Sequence, residues 1–249
     1  MNWVFLRGLS REAGHWGTFP NIFKKKIPKS KIHFLDLPGF GTEFQGRSPV
    51  QVSKIVEDIR KRWVALKESE GPGEWSLLAI SLGGMVGAQW VAKNPDDFKF
   101  FCIINSSAGN LSSTWRRLKP LRIPDLNKIR KMPLGANREL AVLKMTTRIL
   151  KNPEKIAEEW GVISNLRPPR SRNVIAQLLA AMSFRAPREL KAQTLVVSSL
   201  KDDFTDSSCS DELAKYWAAK QVVHPEAGHD LPLDDPEWLA TKIKEFVRS

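Results

Sequence analysis

Six short runs of β-forming residues constrain this chain more than any other feature: "NWVFL" (2–6), "IHFLD" (32–36), "SLLAI" (76–80), "FFCII" (100–104), "TLVVSS" (194–199) and "QVVH" (221–224). Most are close to continuously apolar, the pattern of a strand covered on both faces, as in a parallel sheet. Helix-length stretches separate most of them. The clearest predicted helix runs from Pro49 to about Ser69, with Ser48 as N-cap and Pro49 at the first helical position. Val52, Ile55, Val56, Ile59, Trp63 and Leu66 form its apolar stripe, and Lys54, Asp58, Lys61 and Arg62 its polar face. Strands alternating with helices of this length predict an α/β fold, a mostly parallel sheet with helices on both faces.

The alternation fails between residues 110 and 190. That stretch reads as helical, with Leu140, Leu143, Thr147 and Leu150 on one face, "VIAQLLAAM" at 174–182, and seven prolines punctuating it. It predicts a helical insertion that divides the chain into core (1–109), insertion (110–190) and core again (191–249). The insertion also holds 17 Lys/Arg against 6 Asp/Glu, nearly all of the chain's net charge of +12. Solvated helix faces explain such a bias as readily as an anionic partner does; Arg116, Arg117 and Lys119 are the charges through which a partner would be recruited.

A chain of 249 residues buries a full core without disulfides or a structural metal. Cys102 and Cys209 stand far apart and neither belongs to a CxxC pair, which fits a reducing cytoplasm. The apolar start is short before Arg7, and no 18 consecutive apolar residues occur, so a soluble cytoplasmic protein is expected. No two histidines have metal-site spacing, and His33 and His224 read as packing or surface residues. With no recognised nucleic-acid module and one tyrosine, Tyr216, nucleic acid is not an expected partner.

The chemistry is carried by "SLLAISLGGMVGAQW" (76–90), where an apolar run breaks at Ser81 and a helical pattern begins at once. A serine at the tip of a strand-to-helix turn sits in a strained backbone that lifts its oxygen clear of the sheet, and small neighbours such as Ala79 and Gly83 are needed there. The helix N-terminus behind it favours a developing oxyanion. A serine nucleophile needs a base, and the base an orienting carboxylate. Asp202 and Asp203 follow the strand "TLVVSS", with Asp206 a more distant option, and His229 lies in the loop after "QVVH". The order Ser, Asp, His differs from that of the two well-known serine-protease folds.

In four stretches the chain resembles the α/β-hydrolase fold superfamily: "FLRGLS" (5–10) its oxyanion loop, "FLDLPGFG" (34–41) its Asp-x-Pro-Gly-x-Gly turn, "AISLGG" (79–84) its nucleophile elbow, and "SSLKDD" with "EAGHD" its acid and histidine loops. The resemblance implies that the insertion is the family's cap, that the six strands are its strands three to eight, and that its N-terminal hairpin is missing. It also implies Ser81 as nucleophile, His229 as base, Asp202 as orienting acid, and the backbone amides of Leu9 and Leu82 as oxyanion donors. Two positions depart from the pattern: the first glycine of G-x-S-x-G is Ala79, and the usual His-Gly of the oxyanion loop is Arg7-Gly8. Arg7, in a salt bridge or at the pocket mouth, is a candidate substrate contact together with His15 and Trp16.

The implied activity is hydrolysis of a carboxylic ester or thioester without metal or organic cofactor. Carbon–carbon bond hydrolysis and perhydrolase chemistry are open to the same triad. The "DLPGFG" turn and chain length are similar to those of small capped carboxylesterases of biotin synthesis, so the substrate is expected to be a small ester, anionic or borne on an acyl carrier protein. The alternative is a catalytically weak protein of the same fold whose basic insertion grips an anionic partner.

Overall fold

The computed structural model describes residues 1–248. Its six strands are β1 (Asn2–Leu6), β2 (Lys31–Phe34), β3 (Trp75–Ile80), β4 (Phe100–Ile104), β5 (Gln193–Ser199) and β6 (Lys220–His224). All fall where the β-forming runs predict them, in one sheet of order β2-β1-β3-β4-β5-β6 with every ladder parallel. The chain runs outward from β1 to β2, then crosses back to β3 on the other side of β1. The crevice at the carboxyl ends of β1 and β3 is therefore the switch point at which open α/β sheets place ligand sites.

The helices are α1 (Phe19–Lys26), α2 (Val52–Glu70), α3 (Leu82–Lys93), α4 (Thr114–Arg117), α5 (Ile123–Lys131), α6 (Ala136–Thr146), α7 (Pro153–Leu166), α8 (Ser171–Ser183), α9 (Ser208–Tyr216), α10 (Leu231–Asp234) and α11 (Pro236–Arg248). Strand side chains alternate between two cores, as the two-residue period of a strand requires. Val4, Leu6, Leu77, Ala79, Phe101, Ile103 and Val196 pack under α2, α3 and α9. Trp3, Phe5, Leu78, Ile80, Cys102, Ile104, Leu195 and Val197 pack under α1 and α11. Both faces of the sheet are thus covered.

The stripe predicted for α2 is buried from Val52 to Trp63, but the helix begins at Val52 with Gln51 as N-cap, not at Pro49. Ser48 is oriented elsewhere: its hydroxyl donates to the Pro38 carbonyl and its amide to Asn173 Oδ1, which holds it against those segments and away from the helix that starts four residues later. Residues 110–190 contain α4 to α8 and no strand among the described residues. Here α6 and α7 pack as a pair around Leu143, Ala157 and Trp160, with Leu233 of α10 beneath them. The predicted face Leu140–Leu150 gathers at this cluster although α6 stops at Thr146; Thr147, whose hydroxyl donates to the Leu143 carbonyl, is its C-cap.

Part of the insertion's charge is engaged internally, either against the core or within the insertion itself. Arg11 pairs with Glu139, and Arg167 with Glu12. Arg117 donates to the Ala181 and Met182 carbonyls at the end of α8, where a cation also meets the helix dipole. Arg116 donates to Ser208 Oγ, and Lys119 Nζ to the Asp202 carbonyl. The three charges that were candidates for recruiting a partner therefore have internal hydrogen-bond partners, which sequence spacing does not disclose.

Candidate active site

Ser81 occupies the turn between β3 and α3 with φ +56° and ψ −121°, a conformation that costs a non-glycine residue about 1–3 kcal/mol. The surroundings hold it there: its amide donates to the Ile104 carbonyl, and its carbonyl accepts from Ser106 Oγ at 2.8 Å. Strand, helix and neighbouring loop converge so tightly that a β-carbon at Gly83 would stand 2.5 Å from the Arg7 carbonyl oxygen and 2.7 Å from that of Leu6. A β-carbon at Gly8 would lie 3.1 Å from Ser81 Cβ and 3.6 Å from its Oγ. The loop after β1 thus passes directly over the serine. The amides of Leu9 and Leu82 flank the crossing, and neither has an intrachain acceptor among the described residues.

His229 is buried in the loop between β6 and α10, and its Nδ1 lies 2.6 Å from Asp202 Oδ2. The other carboxylate oxygen, Oδ1, accepts from the amides of Phe204 (2.8 Å) and Thr205 (2.9 Å), which fixes its plane. Burial pulls the imidazole's pKa down, but the charge and hydrogen bond of Asp202, with Asp230 adding to them, raise it above the ordinary 6.5. The adjacent Asp203 turns outward to Arg122 and Arg148, and Asp206 accepts from Ser208. Of the three carboxylates in the acid loop, Asp202 is the one that meets the histidine.

A strained serine at a helix N-terminus under a loop with a free amide, with a histidine and a buried carboxylate in chain order, is the arrangement of one large group of enzymes. The model of the alpha/beta hydrolase family matches residues 3–242. The chain belongs to this family. The monoacylglycerol lipase ABHD6 of Homo sapiens is 24% identical over 99% of this chain and 75% of its own length. A pimeloyl-[acyl-carrier protein] methyl ester esterase of Yersinia enterocolitica is 29% identical over 42% of this chain and 36% of its own. Among solved structures, the 2-hydroxy-6-oxo-6-phenylhexa-2,4-dienoate hydrolase of Rhodococcus sp. strain RHA1 superposes with a TM-score of 0.73, covering 100% of this chain and 90% of that one at 17% identity.

In this alpha/beta hydrolase, the oxyanion-loop position that departs from the usual histidine has an internal partner. Arg7 donates from Nη1 and Nη2 to the two carboxylate oxygens of Asp230, at 2.9 and 2.6 Å, with both side chains buried. Its guanidinium stacks over the Trp16 ring, 5.0 Å from the centroid. Because Asp230 follows His229, this fork ties the loop over Ser81 to the loop carrying the histidine. The other two candidate substrate contacts are also engaged internally. Trp16 is 1% exposed and packs on Phe5 and Phe19. The His15 ring meets the edge of Trp160 and accepts at Nδ1 from the Glu12 amide; burial, then Arg11 and Arg7, hold its pKa well below 6.5.

Three residues that frame the site are not singled out by sequence reasoning. Asn105, at φ +43°, accepts from the Ser199 amide and donates to the His229 carbonyl at 2.8 Å, joining the acid strand to the histidine loop. Asp234 accepts from the amides of Gly228, Arg148 and Ile149, tying that loop to the end of α6; burial raises its pKa. Asp230 is the third. The two aspartates stand in "GHDLPLDD", where only their closeness to His229 hints at a role, and nothing local marks Asn105. No group of three or more His, Cys, Asp or Glu that could hold a metal ion occurs among the described residues.

Proposed function

We propose that this chain is a serine hydrolase that cleaves a carboxylic ester or thioester through Ser81, His229 and Asp202. The observations that carry the reading are the 2.6 Å His229–Asp202 contact and a serine held at φ +56° at a helix N-terminus. Nδ1–H donates to Asp202, which leaves the Nε2 lone pair free to act as base.

Ser81 Oγ attacks the substrate carbonyl carbon as His229 takes its proton. The carbonyl oxygen becomes an oxyanion received by the amides of Leu82 and Leu9, close to the positive end of α3. Collapse breaks the bond to the leaving oxygen or sulfur, which departs with the proton from His229 and leaves an acyl-Ser81 ester. Water, deprotonated by His229, attacks that ester; the carboxylic acid leaves and the proton returns to Ser81. The names of the human and Yersinia relatives support an ester as substrate, and the acyl-carrier-bound form is one member of that class.

Intact-mass labelling with a fluorophosphonate tests this assignment. One adduct on the wild type and none on Ser81→Ala or His229→Ala is expected, with both variants folded by circular dichroism. Ester turnover left unchanged in Ser81→Ala would remove the serine from the mechanism.

A further inference from the structure

Helix α8 is amphipathic in the inverse sense. Its inward positions carry amides and small residues: Asn173 (1% exposed), Ala176, Gln177 (0%) and Ala180. Its outward stripe is aliphatic, with Ile175 57%, Leu179 48% and Met182 62% exposed. The spacing 175, 179, 182 keeps the three on one face, and residues 173–184 contain no charge. Isolated exposed aliphatics are ordinary, but a continuous stripe on a helix whose amide side chains point inward marks an interaction surface.

Internal hydrogen bonds hold α8 in this orientation. Asn173 accepts from the Ser48 amide and donates to the Gly39 and Gly46 carbonyls, and Gln177 accepts from the Ser10 amide. Rolling the stripe inward would break all four bonds and bury the arginine beside it. The aliphatic face is therefore a fixed surface feature.

Charge identifies what it meets. From Trp160 to Arg188 the chain has five arginines and no acidic residue. Arg167 is paired with Glu12, and Arg170 donates to the Gln45 carbonyl. Arg172 at the start of the stripe, and Arg185 and Arg188 beyond its end, are exposed and form no ion pair among the described residues. Trp115, 66% exposed, lies two residues from Arg117, whose guanidinium holds the end of α8 beside Met182. In α7, which leads into α8, Val162 and Leu166 are also exposed. The acidic residues of this region, Glu154, Glu158, Glu159 and Glu189, fall outside the arginine-bracketed stretch.

We infer that the outer face of α8, extended by Trp115, docks on a bilayer containing anionic phospholipid. The aliphatic stripe and the indole enter the headgroup–acyl boundary while Arg172, Arg185 and Arg188 meet lipid phosphates. A second copy of this chain is the poorer occupant, because face-to-face pairing would set these arginines against one another. Among the described residues no helix is long and apolar enough to cross a membrane, so the contact is interfacial. The inference is independent of which residue is the nucleophile.

Vesicle cosedimentation tests it, comparing phosphatidylcholine alone with phosphatidylcholine mixed with phosphatidylglycerol. The wild type is expected to bind the anionic vesicles and to be released by salt. Leu179→Glu and the double variant Arg172→Glu/Arg185→Glu are each expected to lower partitioning about tenfold or more. Both should keep the wild-type circular dichroism and the wild-type rate on a soluble short-chain ester. Failure of the wild type to bind anionic vesicles at low salt would overturn the proposal. So would unchanged binding of Leu179→Glu, which would reduce the effect to charge alone. A wild-type dimer that Leu179→Glu dissociates would assign the face to a second copy instead.

Discussion

The carboxyl edge of the sheet and the helical insertion treat charge in opposite ways. At the sheet edge charges are few, buried and matched: Asp202 with His229, Arg7 with Asp230. In the outer insertion the arginines bracketing α8 are exposed and unpaired, and aliphatic side chains share the surface with them. The seam between the two regimes runs through one peptide bond, for Asp202 points inward to the histidine while Asp203 points outward to Arg122 and Arg148. A buried charge is costly to strand and so fixes geometry, whereas an exposed one is screened and adjusts to whatever approaches.

The sharpest way to break this comparison is to exchange the neighbours. Asp202→Asn should lower kcat about 10⁴-fold, because the amide favours the wrong imidazole tautomer and does not stabilise the imidazolium. Asp203→Asn should change kcat only a few-fold, since a half-exposed ion pair contributes about 0–1 kcal/mol. Steady-state kinetics on one soluble ester measures both, and equal losses would erase the distinction between the two carboxylates.

Next in size is the buried fork. Arg7→Met leaves the Asp230 carboxylate without its cation and should cost about 3–5 kcal/mol in urea unfolding, while Arg7→Met/Asp230→Leu should recover much of that loss. If the single variant is as stable as the wild type, the pair is not what joins the two loops.

The smallest effect is a displaced pH profile. In the proposed mechanism His229 acts as base only when neutral, and its pKa is raised because the charge and hydrogen bond of Asp202 outweigh the opposing effect of burial. The acid limb of kcat/KM should therefore lie above pH 6.5, with activity falling as pH drops through it, and the residual activity of Asp202→Asn should show that limb at lower pH. A wild-type limb below 6.5 would mean that burial, not Asp202, governs the base.

Much of this molecule can be read along the chain. The inner strands were legible because burial on both faces demands near-continuous apolar runs, and the half-exposed edge strands β2 and β6 by their β-branched and aromatic residues; each lies where its run predicts. The elbow, the acid loop and the histidine loop were legible because each is a short segment whose residue types serve one local geometry. The start of α2 was misread for a non-local reason: Ser48 looks like a cap, but its hydroxyl and amide bond to residues 10 and 125 positions away. Arg116, Arg117 and Lys119 looked like free charge because a sequence shows valence but not partners.

By itself the sequence determined the parallel sheet, the order of serine, acid and histidine, and the placing of excess charge in one segment. These depend on local period and residue type, which the chain states directly. Only the tertiary structure decided that Asp203 turns away to Arg122 and Arg148, that Arg7 closes on Asp230, and that α8 turns its amides inward and its aliphatic side chains outward. Each of these is a choice among side chains of equal local merit. It is settled by which partner lies within hydrogen-bond reach once distant segments have packed.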